Sequence, residues 1–509
     1  MIKLVYLRAR AVAALCAAFA LTLLSVGATA TLVADVRDAD GDFAFVISGA
    51  QTVTTEGYAA QYQHIGLTGL ITAGPLSILG ELHLQNDRKY SEGHGGGYWL
   101  GVNGTLEQGG AMLDLSAVTL RVGRFYHADD VASPYSLFVS SMPIGAPMLE
   151  LDVRTPSVFF TTRSIELNRD SARGYPDRGV AIRSYGITTG PWRVGFQDAI
   201  VFVDRTFDLE YFINPIPGFL LQYLKRSAGT PWAISVNHNS LLGFFVDYDR
   251  PGVYGYAQIL IDDINFNRFV KPDDYQNPDK IAWSIGGRVD LPSGAGRIGL
   301  FHAGATMYTF QAYGGGGVGS ASDTRYGYVY YPDVEYTVDG EVRAIHPEDN
   351  YIGYLHGENN LAFIATYDHE LAVRPFPNPV AVDASLEYVL SGSKSPGNPW
   401  HQYNWYAEAG EGTRFLEDER LESKVTGRVN AATRFGDWRF NAGLALGFVV
   451  NELELTAVDP DLIGPNNQIR YFAPGTVRRP IAELRLGASY ALRYRVADRD
   501  PAGRTRADR

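Results

Sequence analysis

Thirteen consecutive residues near the C-terminus alternate without a break, and that length limits what the chain can fold into. From Leu484 one face reads Leu484, Leu486, Ala488, Tyr490, Leu492, Tyr494 and Val496. The other face reads Arg485, Gly487, Ser489, Ala491, Arg493 and Arg495. Strict period two marks a strand with one apolar side. Strands in soluble sandwiches average about five or six residues, whereas a tilted strand that crosses a bilayer needs about 9–11.

The pattern recurs in pairs. Leu421 to Phe435 alternates, Gly436-Asp437 makes a tight turn, and Trp438 to Asn451 alternates again. Phe435 and Trp438 place aromatics beside the turn, as an interfacial girdle would. Shorter stretches with the same period run from Val380 to Leu390, Ile281 to Val289, Val253 to Asp262 and Leu76 to Gln85. Short turns are expected near Ala73-Gly74-Pro75, Glu107 to Gly110, Arg250-Pro251, Pro292 to Gly296, Pro375 to Pro379 and Gly436-Asp437. Long polar segments separate them: Asp87 to Gly97, Asp262 to Lys280, Gly314 to Asn359, Ser391 to Arg420 and Glu452 to Arg479. Short-long alternation is the rhythm of periplasmic turns and extracellular loops. The fold expected is all-β, a closed antiparallel transmembrane β-barrel of about 16 strands, within a range of about 14–18. Both termini then lie on the periplasmic side. No fixed-period repeat of the propeller or solenoid kind is present.

The start of the chain fits an exported protein. Lys3, Arg8 and Arg10 precede an apolar run from Ala11 to Val26, and Ala28-Thr29-Ala30 offers a signal-peptidase site. Residues 1–30 are therefore expected to be a cleaved signal peptide, 31–496 the barrel and 497–509 a polar tail. Cleavage removes Cys16, the single cysteine, so disulfide and thiolate chemistry are excluded. It also leaves 41 basic against 56 acidic residues, a net charge of −15 that argues against nucleic acid as a partner. No later apolar run reaches about 18 residues, so no helix is expected to span a bilayer. Aromatic residues at 12%, with 31 Tyr and 55 Gly, and a mean hydropathy of −0.11 suit a barrel in which every second strand residue touches lipid.

Two irregular segments stand out. Tyr126 to Met148, with Ser133-Pro134-Tyr135-Ser136-Leu137-Phe138, is either a loop packed on the rim or a loop folded inward to narrow the pore. In Phe207 to Gly229, the helical spacing of Phe219, Tyr223 and Arg226 suggests a short helix on the rim or in the lumen, with a distorted strand as the alternative.

The last strands place Arg428, Arg434, Arg439, Arg485, Arg493 and Arg495 on the lumen face, a basic wall. Glu81 on an early strand, with Asp383 and Glu387 on the adjoining hairpin, supplies lumen acids. Charge pairing that satisfies a polar interior is one account. A transverse field that steers anions or a polyanionic glycan is the other.

Catalytic patterns are weak, and no catalytic residue, metal ligand or cofactor is assigned. His127 near Asp129 and Asp130, and His346 near Glu348 and Asp349, read as loop composition. Asp262-Asp263 and Asp273-Asp274 lack EF-type spacing, and Gly314 to Gly317 lacks the lysine of a phosphate loop.

The order of elements from Gly179 to Phe269 resembles that of the Wzi-type capsule-assembly barrels. It comprises a strand pair around Trp192 to Phe202, Leu209-Glu210-Tyr211 with Asn214-Pro215, Asn239-Ser240-Leu241-Leu242-Gly243, and Tyr254 to Asp263. This resemblance covers under a quarter of the chain and implies an outer-membrane barrel that holds surface polysaccharide; no sugar-binding residue carries over. The closing strand likewise resembles the C-terminal strand that outer-membrane proteins present to the barrel-assembly machinery, though a polar tail follows it. The function expected is passage of hydrophilic solutes or binding of surface polysaccharide in contact with outer-membrane lipid. An outer-membrane hydrolase with a rim site is the alternative, and it needs a Ser–His or Asp–His pair on adjacent strand ends.

Overall fold

The computed structural model describes residues 39–54, 59–85, 103–141, 145–171, 173–225, 229–231, 233, 238–264, 267–270, 278–311, 325–338, 341–374, 376–395, 413–457 and 470–496. The expected leader, the C-terminal tail, the Asp87 to Gly97 loop, Asp273-Asp274 and the Gly314 to Gly317 run lie outside these residues.

The strands come in chain order. β1 (Ala39–Thr54), β2 (Ala59–Ala73), β3 (Leu76–Gln85), β4 (Asn103–Asp114), β5 (Val118–Tyr126) and β6 (Gly145–Arg154) form the first third. β7 (Val158–Asn168), β8 (Arg178–Thr189), β9 (Trp192–Val203), β10 (Asn239–Arg250), β11 (Val253–Asp263), β12 (Lys280–Asp290) and β13 (Arg297–Ala305) follow. Two short strands, β14 (Glu335–Val338) and β15 (Glu341–Ala344), pair within a loop. β16 (Asn360–Leu371), β17 (Val380–Ser391), β18 (Glu422–Phe435) and β19 (Trp438–Val450) continue the large sheet. A loop hairpin of β20 (Leu453–Ala457) and β21 (Arg470–Pro474) precedes β22 (Arg478–Val496).

Eighteen of these strands form one antiparallel meander, and β22 pairs with both β19 and β1. The ladder therefore returns to its start. Eighteen is the top of the expected range, and β1 with β2 forms a hairpin upstream of the first stretch read from the sequence. Gly41 faces Val496, so the first and last strands meet at the end that carries the short turns. The Gly436-Asp437 turn sits where expected, with Phe435 opposite Trp438, and Gly436 takes a φ of 59°.

The expected turn at Glu107 to Gly110 is not a turn. These residues lie inside β4, where Glu81 faces Gln108, Leu82 faces Leu106, and Glu107 is the extra residue of a bulge. A Cβ on Gly110 would lie 2.3 Å from the Val122 carbonyl oxygen, so the glycine permits close approach of β5 rather than a reversal. The chain turns instead between Asp114 and Val118, where Ser116 has a φ of 72° and its N–H donates to Asp114 Oδ1 at 2.9 Å.

The apolar faces point outward. Ile285, Leu300, Val429, Leu444, Leu446 and Leu486 are all exposed, Leu300 at 68%. Among the described residues no helix is long and apolar enough to cross a membrane. The opposite faces enclose a hydrophobic core that includes Ile165, Val180, Val201, Leu241, Leu260 and Ala303. A sheet buried on its inside needs something inside to pack against.

Candidate functional site

Segment 127–141 supplies that packing. It leaves the long-loop end of β5 and folds into the barrel, which decides between the two readings of Tyr126 to Met148. Tyr135, Leu137, Phe138 and Val139 are buried in the interior core. At roughly 1.5–3 kcal/mol for each large apolar side chain fully buried, the segment is held as firmly as a domain core.

Polar anchors fix its path. Tyr254 Oη accepts from the Ala132 N–H at 2.8 Å, Ser133 Oγ contacts the Tyr256 hydroxyl, and Gln258 Oε1 accepts from the Leu137 N–H at 2.9 Å. Tyr254 and Tyr256 lie near the short-turn end of β11, so the segment descends deep into the lumen. On the facing wall the Tyr135 hydroxyl donates to Glu387 of β17 at 2.8 Å. The chain thus bridges the interior.

Asp129 is the hub of the segment. Its carboxylate accepts from the N–H groups of Phe138 (2.9 Å) and Val139 (3.1 Å), and from the side-chain amides of Gln197 (2.7 Å) and Gln258 (3.2 Å). Burial pushes this carboxyl above its usual range, and neighbouring Asp130 adds to the effect. His127 does not pair with Asp129; its Nε2 lies 3.0 Å from the Tyr330 hydroxyl. Burial, reinforced by the Arg163 charge, lowers the His127 ring to about 4, so it is neutral at pH 7.

A second stretch, from the loop after β13, completes the plug. Tyr328, Val329, Tyr351, Ile352 and Tyr354 are buried in the same core. The Tyr328 hydroxyl donates to the Phe138 carbonyl at 2.6 Å. A Cβ on Gly353 would lie 2.1 Å from the Leu137 carbonyl oxygen, so the two stretches touch backbone to backbone. Arg178, fully buried, binds this stretch through its carbonyls: Arg325 at 2.6 Å, Gly327 at 2.8 Å and Val329 at 3.1 Å. One guanidinium thus satisfies three backbone carbonyls of the stretch.

Two cavities flank the plug. One, of about 320 Å³, is lined by Arg121, His127, Asp130, Arg154, Arg163 and Arg193. Its arginines are matched by acids. Arg121 Nε donates to Glu150 at 2.8 Å, Arg163 also pairs with Glu150, and Arg193 pairs with Asp247. The other, of about 240 Å³, lies against the long-loop ends of β17, β18, β19 and β22. It presents His346, His356, Lys424, Arg428 and Arg479 alongside Glu348, Glu422, Glu452 and Glu483, with Phe472 as an aromatic face. A cleft with closely spaced donors and acceptors of both signs suits a ligand rich in hydroxyl groups.

His356 sits at the back of that cleft. Its Nε2 is 3.1 Å from Glu387 and its Nδ1 is 3.3 Å from Glu348. Burial alone would lower its pKa, yet hydrogen bonds and charge from the two glutamates outweigh burial and raise it. With both ring nitrogens donating to carboxylates, no lone pair remains to activate a nucleophile. Among the described residues no group of three His, Cys, Asp or Glu could hold a metal ion.

The basic wall is distributed along this side. Arg428 lines the cleft and reaches Glu387 at 3.4 Å. Arg434 and Arg439 face each other across the Gly436-Asp437 turn, at the far end of the lumen, and Arg485 lies opposite Gly443. These three make no ion pair among the described residues. Arg493 and Arg495 belong to β22, but their side chains lie outside the described set. Glu81 lies on β3. It bonds His83 at 2.9 Å and Gln108 at 2.8 Å on its own side. Asp383 accepts from Asn430 at 2.8 Å.

The helical expectation for Phe207 to Gly229 holds, with a different location. Helices α1 (Leu209–Ile213) and α2 (Gly218–Lys225) pack on the outside of the wall, where Tyr211 and Leu221 cover Ala181, Ile200 and Phe202. Sequence reasoning missed Arg178 and His356. Each lies in or beside a connection and meets its partners only after long loops close.

No family model matches the chain, and no curated protein resembles it in sequence. Among solved structures it is similar to Wzi of Escherichia coli, described as an outer-membrane protein involved in group 1 capsule assembly and a carbohydrate-binding β-barrel. The identity is 9%, the match covers 88% of this chain and 84% of that one, and the TM-score is 0.51. Pseudomonas aeruginosa OpdQ matches with 12% identity, coverage of 90% and 99%, and a TM-score of 0.44. P. aeruginosa OprD matches with 12% identity, coverage of 90% and 95%, and a TM-score of 0.43. The fold is that of Gram-negative outer-membrane β-barrels.

Proposed function

We propose that the chain is exported to the outer membrane as a closed transmembrane barrel, shut to bulk diffusion, and that it holds a segment of surface polysaccharide in the cleft beside β17, β18, β19 and β22. The observation that carries this reading is the buried run Tyr135 to Val139 inside the barrel. An open diffusion pore keeps a hydrated lumen, and here the buried run Tyr135 to Val139 bridges the interior between β11 and β17. The exposed apolar belt supplies the lipid face. Arg428, with Arg485, Arg439 and Arg434 further down the same wall, gives acidic sugars a path of positive potential. The neighbour in E. coli described as carbohydrate-binding lends the ligand class.

Titration calorimetry with purified acidic and neutral polysaccharide fragments tests the reading. Wild type is expected to bind at least one class, and Lys424→Glu with Arg428→Glu to weaken an acidic fragment about tenfold or more, the equivalent of one lost charge-assisted contact. Absence of binding to every fragment, or identical binding by the double variant, would remove the cleft from the account.

A further inference from the structure

We propose that the α1–α2 flap lies in the outer-leaflet interface as an amphipathic lipid-bound element, rather than standing in water above the barrel. This rests on the membrane reading above and extends it to a segment that connectivity alone would class as an extracellular loop.

The inner side of the flap is fastened to the wall. Asp208 caps α1, accepting from the Glu210 N–H at 3.1 Å and the Tyr211 N–H at 3.2 Å. The Thr162 hydroxyl of β7 donates to the Phe212 carbonyl at 2.7 Å. A Cβ on Gly218 would lie 2.1 Å from Ile200 Cδ1, so α2 begins in direct contact with β9. The outer side is apolar and uncovered: Leu209 and Ile213 are 60% exposed and Leu224 58%, with Ile216 and Leu220 beside them. Grouped leucine and isoleucine side chains on one outward face mark an interaction surface.

Two observations name the occupant as lipid. The first is continuity. Below the flap, the same outer wall exposes Phe244, Ile187 and Val194, down to Trp192 at the short-turn end. The eight steps from Trp192 to Ile200 climb roughly 20 Å, at about 3.3 Å per residue and about 40° tilt. That places the flap at the upper edge of an apolar band about 25 Å tall.

The second is what the flap covers. Arg183 and Asp198 form an ion pair on the outward faces of β8 and β9, with Nε–Oδ1 of 2.9 Å and Nη2–Oδ2 of 2.7 Å, and both side chains are fully buried. The remaining Arg183 donor reaches the carbonyls of Asn214 at 2.8 Å and Ile216 at 3.0 Å, and the Gly218 N–H donates to Asp198. An ion pair facing water needs no such cover. One facing hydrocarbon does, because every unmet polar bond there is costly. The flap meets those bonds from its inner side and returns an apolar surface to the bilayer.

Since the mature chain is expected to lack cysteine, Ile213→Cys and Leu224→Cys can each carry an environment-sensitive fluorophore. Ile187→Cys on the wall and Glu419→Cys on a loop serve as lipid and water references. In proteoliposomes the flap probes are expected to be quenched by brominated lipid as strongly as the Ile187 probe, and several-fold less by aqueous iodide than the Glu419 probe. Iodide quenching equal to that of the Glu419 probe would overturn the proposal. Protection from both quenchers, together with cross-linked dimers or trimers, would overturn it in favour of a second copy. If the Ile187 probe itself were open to iodide, the membrane reading would fail, and the flap proposal with it.

Discussion

Replacing Phe138 by alanine is expected to loosen the plug without disturbing the barrel. Phe138 is fully buried between the interior wall and the second plug stretch, and its Cε2 sits 2.9 Å from the position a Cβ on Gly243 would take. A buried Phe→Ala change costs about 3–5 kcal/mol, from lost transfer energy and the cavity left behind. The barrel ladder does not depend on this side chain, so the loss falls on the equilibrium between the docked and undocked segment. At about 1.4 kcal/mol per tenfold, undocking becomes roughly two to three and a half orders of magnitude more frequent. Amide hydrogen exchange of peptides spanning residues 129–141, read by mass spectrometry in nanodiscs, reports that frequency directly. Peptides from β18 and β19 serve as the internal reference and are expected to keep their protection. Exchange in 129–141 within a few-fold of wild type would refute the reasoning, because it would mean the segment is not packed where the structure puts it.

Other changes test separate anchors. Tyr135→Phe removes the 2.8 Å bond to Glu387 but keeps the ring, so a loss of about 1–3 kcal/mol is expected, against a larger loss for Tyr135→Ala; thermal unfolding compares them. Gly353→Ala forces a Cβ toward the Leu137 carbonyl, and the same exchange experiment is expected to show a looser plug. The unfolded chain protonates His127 below about 6.5, whereas burial holds the folded ring neutral down to about 4. Its contribution is therefore complete above the unfolded value and lost as pH falls through that window, up to about 3 kcal/mol. His127→Gln is expected to flatten this part of the stability–pH profile in denaturant titrations.

How much was legible in the sequence depended on what each strand faces inside. β18, β19 and β22 turn Arg439, Asn441, Glu483 and Arg485 toward the lumen, opposite an exposed apolar face, so their period-two pattern is clean. β8 to β10 turn Val180, Ile182, Ala199, Val201 and Leu241 toward the plug, so both faces are apolar and the alternation fades. Arg183 and Asp198 break the inside–outside rule because the flap covers them. The aromatic-rich run Tyr135 to Phe138 was visible as unusual, but loop composition reads the same on a rim as in a lumen. Its inward course follows from partners such as Gln258, Glu387 and Gly353, which lie more than a hundred residues away along the chain. The bulge at Glu107 mimicked a turn because two glycines serve close strand approach as readily as chain reversal.

The central claim is that the barrel is plugged. Single-channel recording of the refolded mature chain in a planar bilayer tests it most directly. The account predicts no steady conductance from wild type and intermittent openings once residues 131–140 are deleted. A stable, ohmic, porin-sized conductance from wild type would contradict it.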